Sequence, residues 1–391
     1  MTTPPTPNAS RSDATTSAWD DWVDATTAQI VAADQWRAPR TFDARGTRGK
    51  LAGRDIVQFA SNDYLGLTQH PAVTAAAHAA IDRWGAGSGS ARLIVGSRPV
   101  HSELEAAIAA WRGTAHAALF PTGFAANLGV MEALASRDAF ICSDELNHAS
   151  IIDGTRLSRS ETAVFPHRDL DALDAALGRA AGRRAVVVSD TVFSMDGDTA
   201  DVEGLAECAV RHGALLVLDE AHGVLGPDLA HDDGEVLRVG TMSKTLGSLG
   251  GFVAGPRRYT DLLVNRARSY IFTTAPTPAD TAAALASIGV LESDEGTRLT
   301  AALRRNVDLL RPGHPSPIVP IVCGSNERTL DAAARLLDAG FLVPAIRPPT
   351  VAPGTARLRV SLCALHAPEE VVQLRDALET LGLAPHGAPP C

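Results

Sequence analysis

From Ala117 to Leu218 five short apolar runs alternate with segments of helical period. The runs are Ala117-Ala-Leu-Phe120, Ala139-Phe-Ile-Cys142, Ala163-Val-Phe165, Ala185-Val-Val-Val188 and Leu215-Leu-Val-Leu218. The helical segments between them fall near 124–136, 149–158, 169–180 and 202–212. Unbroken apolar runs suit strands buried on both faces, and strands separated by helices connect as parallel neighbours through crossovers. The pattern predicts an α/β fold whose large domain holds a mostly parallel sheet flanked by helices.

The last run ends in an acid, giving Leu215-Leu-Val-Leu-Asp219-Glu-Ala-His222, and a lysine follows in the small, hydroxyl-rich turn Thr241-Met-Ser-Lys244-Thr-Leu-Gly247. This ordered pair is what a pyridoxal phosphate enzyme needs. An acid at a strand end pairs with a protonated pyridine nitrogen, and a lysine amine forms the Schiff base. Taken alone, each residue has a plainer reading: a solvated lysine, or a strand-end acid.

Other residues suit the same chemistry. Phe120-Pro-Thr-Gly123-Phe124 passes from a strand into a helix, where unpaired backbone N–H groups favour a phosphate and Gly123 permits close approach. The plainer reading is a tight turn. His148, after a strand end, could stack on a flat ring. His222 could reach the ring's phenolic oxygen, and Ser194 offers a neutral donor nearby. Arg347, set between a strand and Pro348-Pro349, could grip a carboxylate at two points. The glycine-rich Gly85-Ala-Gly-Ser-Gly89 does not fit a nucleotide phosphate loop and reads as a loop near the site's mouth.

Outside this region, residues 1–17 read as a disordered tail and 18–60 as an N-terminal helix and arm. The large domain is predicted over 61–290 and a small C-terminal α+β domain over 291–391. Helices are predicted over Pro71–Trp84 and from Ser102, where Ser102 and Glu105 fit a capping box, and a long helical tract over Pro278–Leu310. The net charge of −10 argues against a nucleic-acid footprint or a polybasic membrane anchor. The five scattered cysteines include no C-x-x-C pair, so neither a disulfide framework nor a zinc site is expected, and a cytoplasmic protein fits. No metal is predicted, and no run is long and apolar enough to predict a membrane span.

Over about residues 35–382 the chain resembles the α-oxoamine synthases, coenzyme A-dependent acyltransferases of the fold-type I pyridoxal phosphate superfamily. The likeness rests on Ser61-Asn-Asp-Tyr-Leu-Gly-Leu67, Gly85–Gly89, Thr122-Gly-Phe-Ala-Ala-Asn127, His148-Ala-Ser150, Val192-Phe-Ser-Met-Asp-Gly-Asp198, Asp219-Glu-Ala-His222-Gly223 and Thr241-Met-Ser-Lys244. The segment Ala345–Arg359 looks most like the members that condense L-alanine with a pimeloyl thioester and release carbon dioxide and the free thiol carrier.

The resemblance implies pyridoxal 5′-phosphate as cofactor, with Lys244 as its covalent anchor and acid/base group, Asp219 on the pyridine nitrogen and His148 stacked on the ring. It implies His222 and Ser194 on the ring substituents, and Gly123, Phe124 and Thr241 on the phosphate. Arg347 and Asn62 would hold the amino-acid carboxylate, Thr350 would lie beside the substrate, and Arg37 is the candidate for the thioester. It implies a homodimer in which Thr273 or Thr274 reaches the partner's phosphate. Two departures stand out: Gly223-Val-Leu-Gly226 replaces a more glycine-rich turn, and Asp190 stands where glutamate is usual. Alternatives are a sibling enzyme such as a glycine C-acetyltransferase, a silent partner subunit, which would lack the lysine, and a fold-type I aminotransferase.

Overall fold

Lys244 is presented by a turn of nine residues, 242–250, between strands Glu235–Thr241 and Gly251–Gly255. A parallel crossover needs about a dozen residues or more, so the chain returns antiparallel beside the strand it left. The computed structural model describes residues 17–180, 182–229 and 234–384. They fall into two compact units: Ser61–Val319 with Ser361–Val372, and the remainder. The boundaries differ from those read in the sequence, because 291–319 belongs with the larger unit and 18–60 with 320–360.

The larger unit holds a seven-stranded sheet. Its order is His116–Phe120, Gly251–Gly255, Glu235–Thr241, Leu215–Asp219, Arg184–Asp190, Ala139–Asp144, Glu161–Phe165. The pairings from Glu235–Thr241 to Glu161–Phe165 are all parallel, and Gly251–Gly255 is antiparallel to both of its neighbours. Alternate residues of one strand feed opposite cores. Val186 and Val188 pack with helix Gly123–Leu134, whereas Ala185 and Val187 pack with helices Leu170–Gly178 and Val202–His212. Burial of each such aliphatic side chain contributes roughly 1.5–3 kcal/mol, which is why both faces carry unbroken apolar runs.

Helix Pro71–Trp84 runs as predicted, with Pro71 in its first turn and Gly85 at φ 82° closing it. The predicted start at Ser102 is corrected: the helix is Pro99–Trp111. Pro99 sets the first helical φ, and the Arg98 N–H donates to His101 Nδ1 at 3.0 Å, leaving Ser102 inside the helix. The tract Pro278–Leu310 is two helices, Pro278–Leu291 and Asp294–Leu310. Ser293 caps the second by accepting from Glu295 and Gly296 N–H, with two acids in its first turn.

In the smaller unit, helix Ala18–Ala32 is capped by Ser17 and buries none of its residues. Of the predicted tail over 1–17, residues 1–16 lie outside the described residues. Strands Phe42–Arg45, Arg48–Leu51 and Arg54–Gln58 form an antiparallel meander, joined by Phe341–Leu342 running parallel to the third. The turn Ala52-Gly53 has positive φ at both residues, the conformation a two-residue hairpin loop favours. The strand expected before Arg347 is two short pieces, Phe341–Leu342 and Ala345–Ile346, separated by Val343 and Pro344. Pro344 has no N–H to give a ladder.

Candidate active site

Parallel strands bring polar residues to one end of the sheet, where α/β folds bind their ligands. Thr241, Asp219 and Asp190 end three adjacent strands. Asp190 pairs directly with Asp219, and Val239, two residues before Thr241, pairs with Asp219, so the three side chains share a face. Ser143 pairs with Val188, which leaves Asp144 one residue out of step with Asp190 and on the opposite face.

Asp219 is 4% exposed. Its Oδ1 accepts the Ala221 N–H at 2.9 Å, and its Oδ2 accepts Asn127 Nδ2 at 2.6 Å. Asn127 also donates to Ser150 Oγ at 2.9 Å, while its own Oδ1 is buried with no partner. A buried carboxylate is costly unless hydrogen-bonded, and two donors hold this one in place with acceptor capacity remaining for a cationic N–H.

His148 caps helix Ala149–Ser158: its Nδ1 accepts the Ser150 N–H at 3.2 Å and lies 2.7 Å from Ser150 Oγ. The His148 backbone N–H donates to Asp190 Oδ2 at 2.7 Å. Burial pushes the His148 imidazole below the usual histidine range; the Asp219 charge opposes this and the Lys244 charge adds to it. Burial, and next the Asp219 charge, push the Asp190 carboxyl well above the usual range. A neutral imidazole there is suited to face a ring rather than compete with it for Asp219.

Lys244 Nζ lies 2.8 Å from His222 Nε2, and His222 Nδ1 lies 2.6 Å from Tyr64 Oη. Tyr64, fully buried, donates to Asn62 Oδ1 at 3.1 Å. The His222 imidazole thus stands between the Tyr64 hydroxyl and the Lys244 amine, one ring nitrogen on each. Tyr64, Asn127 and Ser150 were not singled out from sequence, although all three stand in motifs quoted above.

The phosphate candidate is the turn into helix Gly123–Leu134. Thr122 Oγ1 accepts the Ala125 N–H at 3.0 Å, so the first turn is ordered. A Cβ on Gly123 would lie 3.0 Å from Thr241 Cβ, and one on Gly251 would lie 2.3 Å from Thr122 O. Two glycines thus let the helix start lie against the strand pair that carries Lys244. Thr241 Oγ1 donates to Gly250 O at 2.9 Å and lies 2.7 Å from Ser243 Oγ. Phe124 is 44% exposed, with its ring edge-on to His148 at 6.3 Å. Ser194 lies in the half-buried turn 194–196, after strand Arg184–Asp190.

Arg347, Arg37 and Thr350 belong to the smaller unit. Arg347 donates to the carbonyl oxygens of Asp34 and Trp36, and its Nε is buried without a partner. Burial, and next the charge of Arg37, lower its affinity for a proton, with Arg40 acting in the same direction. Arg37 donates to Gln35 O and Pro348 O at 3.1 and 3.0 Å, and Thr350 N–H donates to Arg347 O at 3.1 Å.

The side chains of the larger unit fit pyridoxal phosphate: a buried acid with acceptor capacity, a glycine-opened helix start, and an amine tied to a histidine. Fold and side chains define a pyridoxal phosphate-dependent enzyme, and the family model for aminotransferase class I and II matches residues 54–378. An 8-amino-7-oxononanoate synthase from Anaeromyxobacter dehalogenans is 45% identical over 372 residues, covering 90% of this chain and 93% of that protein. The chain belongs to the 8-amino-7-oxononanoate synthase family, pyridoxal phosphate-dependent acyltransferases.

Two solved structures bracket the fold. A serine palmitoyltransferase from S. paucimobilis, with pyridoxal phosphate and myriocin bound, is 29% identical with a TM-score of 0.85, covering 93% of this chain and 98% of that one. An 8-amino-7-oxononanoate synthase from Francisella tularensis is 26% identical with a TM-score of 0.69, covering 83% and 96%. Among the described residues no helix is long and apolar enough to cross a membrane.

Proposed function

We propose that the protein condenses L-alanine with a pimeloyl thioester, on coenzyme A or an acyl-carrier protein, giving 8-amino-7-oxononanoate, carbon dioxide and free thiol in biotin biosynthesis. The observation that carries the chemistry is the ordered contact of Lys244 Nζ with His222 at 2.8 Å, backed by Tyr64 at 2.6 Å. Bound there, pyridoxal phosphate supplies an aldehyde for the alanine amine and a ring that accepts the electron pair released at Cα.

Lys244 Nζ removes the alanine Cα proton and later returns one. His222 Nε2 orients that amine. Asp219, fixed by Asn127 and Ala221, keeps the facing ring nitrogen protonated. His148, neutral through burial, covers a ring face. Gly123 and Phe124 backbone N–H groups, with the Thr241 hydroxyl, hold the phosphate. His222 and Ser194 contact the ring's substituents. Asn62 and Arg347 take the alanine carboxylate, Thr350 lies beside the substrate, and Arg37 takes the thioester. Thr273 or Thr274 serves the partner's phosphate in a homodimer. These last roles, the dimer and a cytoplasmic address rest on the family likeness.

The choice of alanine and a pimeloyl group follows sequence rather than shape. Serine palmitoyltransferase superposes better than the Francisella synthase, with a TM-score of 0.85 against 0.69, yet it is 29% identical to this chain whereas the Anaeromyxobacter 8-amino-7-oxononanoate synthase is 45% identical. The test offers L-alanine, glycine and L-serine with a panel of acyl thioesters and identifies products by mass spectrometry. Alanine with the pimeloyl thioester should give the most product. Product from glycine or serine in preference to alanine would replace this reading with that of a sibling α-oxoamine synthase.

A further inference from the structure

We propose that His167 is a positioning residue: its imidazole ties Asp144, at the root of the loop that presents His148, to Asp198, at the end of the turn that presents Ser194. It thereby holds two cofactor-facing loops in one arrangement. This rests on the functional reading above, since it takes His148 and Ser194 to contact the cofactor.

The geometry is a double bridge. His167 Nδ1 lies 3.1 and 3.2 Å from the two Asp144 carboxylate oxygens, and Nε2 lies 2.8 Å from Asp198 Oδ2. Phe193 stands edge-on to the imidazole, with centroids 4.3 Å apart and planes at 87°, so the ring has little freedom to turn. Both ring nitrogens face carboxylates, and an imidazole donates from both only as a cation.

Each end of the bridge leads directly to a site residue. Asp144 Oδ1 accepts the Leu146 N–H at 2.8 Å and the Asp144 backbone carbonyl accepts the Asn147 N–H at 3.2 Å, so side chain and backbone of Asp144 together shape the turn before His148. At the other end, Asp198 O accepts the Phe193 N–H at 3.0 Å, closing the turn around Ser194. That turn is pinned on its far side by Ser316 Oγ, which donates to Gly197 O at 2.7 Å. A Cβ on Gly197 would lie 1.9 Å from Ile318 O. Asp198 Oδ1 is buried with no partner, so its carboxylate depends on what reaches Oδ2.

The charged groups around His167 are few. Asp144 comes from strand Ala139–Asp144 and Asp198 from the turn. Glu145 accepts the His167 backbone N–H at 2.9 Å, and the Arg168 guanidinium stands 3.8 Å from Asp198 Oδ2. Burial alone pulls the His167 imidazole down, but the bonds to Asp144 and Asp198 outweigh it, and it is pushed up to about 9. The sign follows from linkage: a raised histidine value means the tie is whole at neutral pH and is lost as pH rises through about 9.

The test titrates pyridoxal phosphate into the cofactor-free full-length protein across neutral to alkaline pH, for wild type, His167→Gln and Asp198→Asn, and records melting temperature and turnover alongside. His167→Gln should raise the dissociation constant about tenfold at neutral pH, equivalent to about 1.4 kcal/mol. It should also remove the part of the pH dependence near 9 that depends on this side chain. Asp198→Asn keeps the imidazole but deletes one anion, and should move that pH step downward. A purely structural histidine would lower the melting temperature and leave cofactor affinity and its pH profile as in wild type, which overturns the inference. Should His167→Gln fail to fold, an unmoved step in Asp198→Asn overturns it alone. If wild type binds no pyridoxal phosphate, the functional reading fails and takes this one with it. If wild type binds and condenses while neither variant shifts the profile, only the role of His167 falls.

Discussion

Replacing Asn127 with alanine separates what the site needs from what the fold needs. The Asn127 amide gives Asp219 a 2.6 Å hydrogen bond and Ser150 a 2.9 Å one, while its Oδ1 is buried without a partner. A hydrogen bond to a charged group is worth about 1.5–3 kcal/mol, one to a hydroxyl about 0.5–1.5, and an orphaned buried acceptor costs about 1–3. Asn127→Ala loses the first two; it removes one orphaned acceptor but orphans Asp219 Oδ2 in its place, so those two offset and the net loss of folding stability is about 3 kcal/mol, read by urea denaturation of the cofactor-free protein. Asp219, however, keeps only the Ala221 N–H of these two fixed donors. Its carboxylate can then turn away from the ring nitrogen, and both cofactor affinity and kcat should fall by about tenfold or more, the worth of one such bond. Absorbance titration with pyridoxal phosphate and steady-state turnover measure the two. A stability loss above about 4 kcal/mol with unchanged cofactor affinity would show that Asn127 packs the core and does not serve Asp219.

Lys244→Ala should abolish both turnover and borohydride trapping of the cofactor while the far-ultraviolet circular dichroism stays that of wild type; retained turnover would remove the lysine from the chemistry. Arg347→Ala should raise KM for the amino acid by roughly 10–100-fold, the worth of a two-point carboxylate contact, with a smaller change in kcat; an unchanged KM would deny it that role. Asp190→Asn should stabilise the cofactor-free protein at neutral pH. The native state resists ionising Asp190 whereas the unfolded chain ionises near pH 3.9, so stability is lost as pH rises above that value. The amide oxygen can still accept the His148 N–H. A gain of about 1 kcal/mol or more at pH 7 that vanishes near pH 4, measured by urea denaturation, is expected; a loss at pH 7 would mean the buried carboxyl is charged.

The sheet was legible because its central strands are buried on both faces and so read as plain apolar runs; Glu161–Phe165, at the edge, leaves Val164 64% exposed. Glu235–Thr241 escaped for the opposite reason. It carries Arg238 in mid-strand, 6% exposed and bonded to both Glu220 and Asp228 at 2.6 Å, and a buried ion pair looks like a loop in a hydropathy pattern. The meander over 42–58 escaped too, since in Arg48-Gly-Lys-Leu51 the inward positions hold only Gly49 and Leu51, both half-buried, and one apolar side chain does not mark a buried face. Ser102 with Glu105 imitated a helix start, but Pro99, three residues earlier, determines where the helix begins. In the site, Lys244, Asp219, His148 and His222 could be read from local motif order. The contacts Tyr64–His222, Asn127–Asp219 and His167–Asp198 join residues 158, 92 and 31 positions apart, and no local pattern encodes such pairs.

The pairing of Asp190 with Asp219, and the two-residue offset to Thr241, make strand alignment and chemistry a single property. A slip of one residue in any of these three strands would swing its terminal side chain through the sheet to the opposite side. Catalytic competence is therefore vulnerable deep in the apolar interior, at positions such as Val187 and Val217 that touch no ligand. A crowding substitution there could silence the enzyme while every reactive residue remained spelled out in the chain.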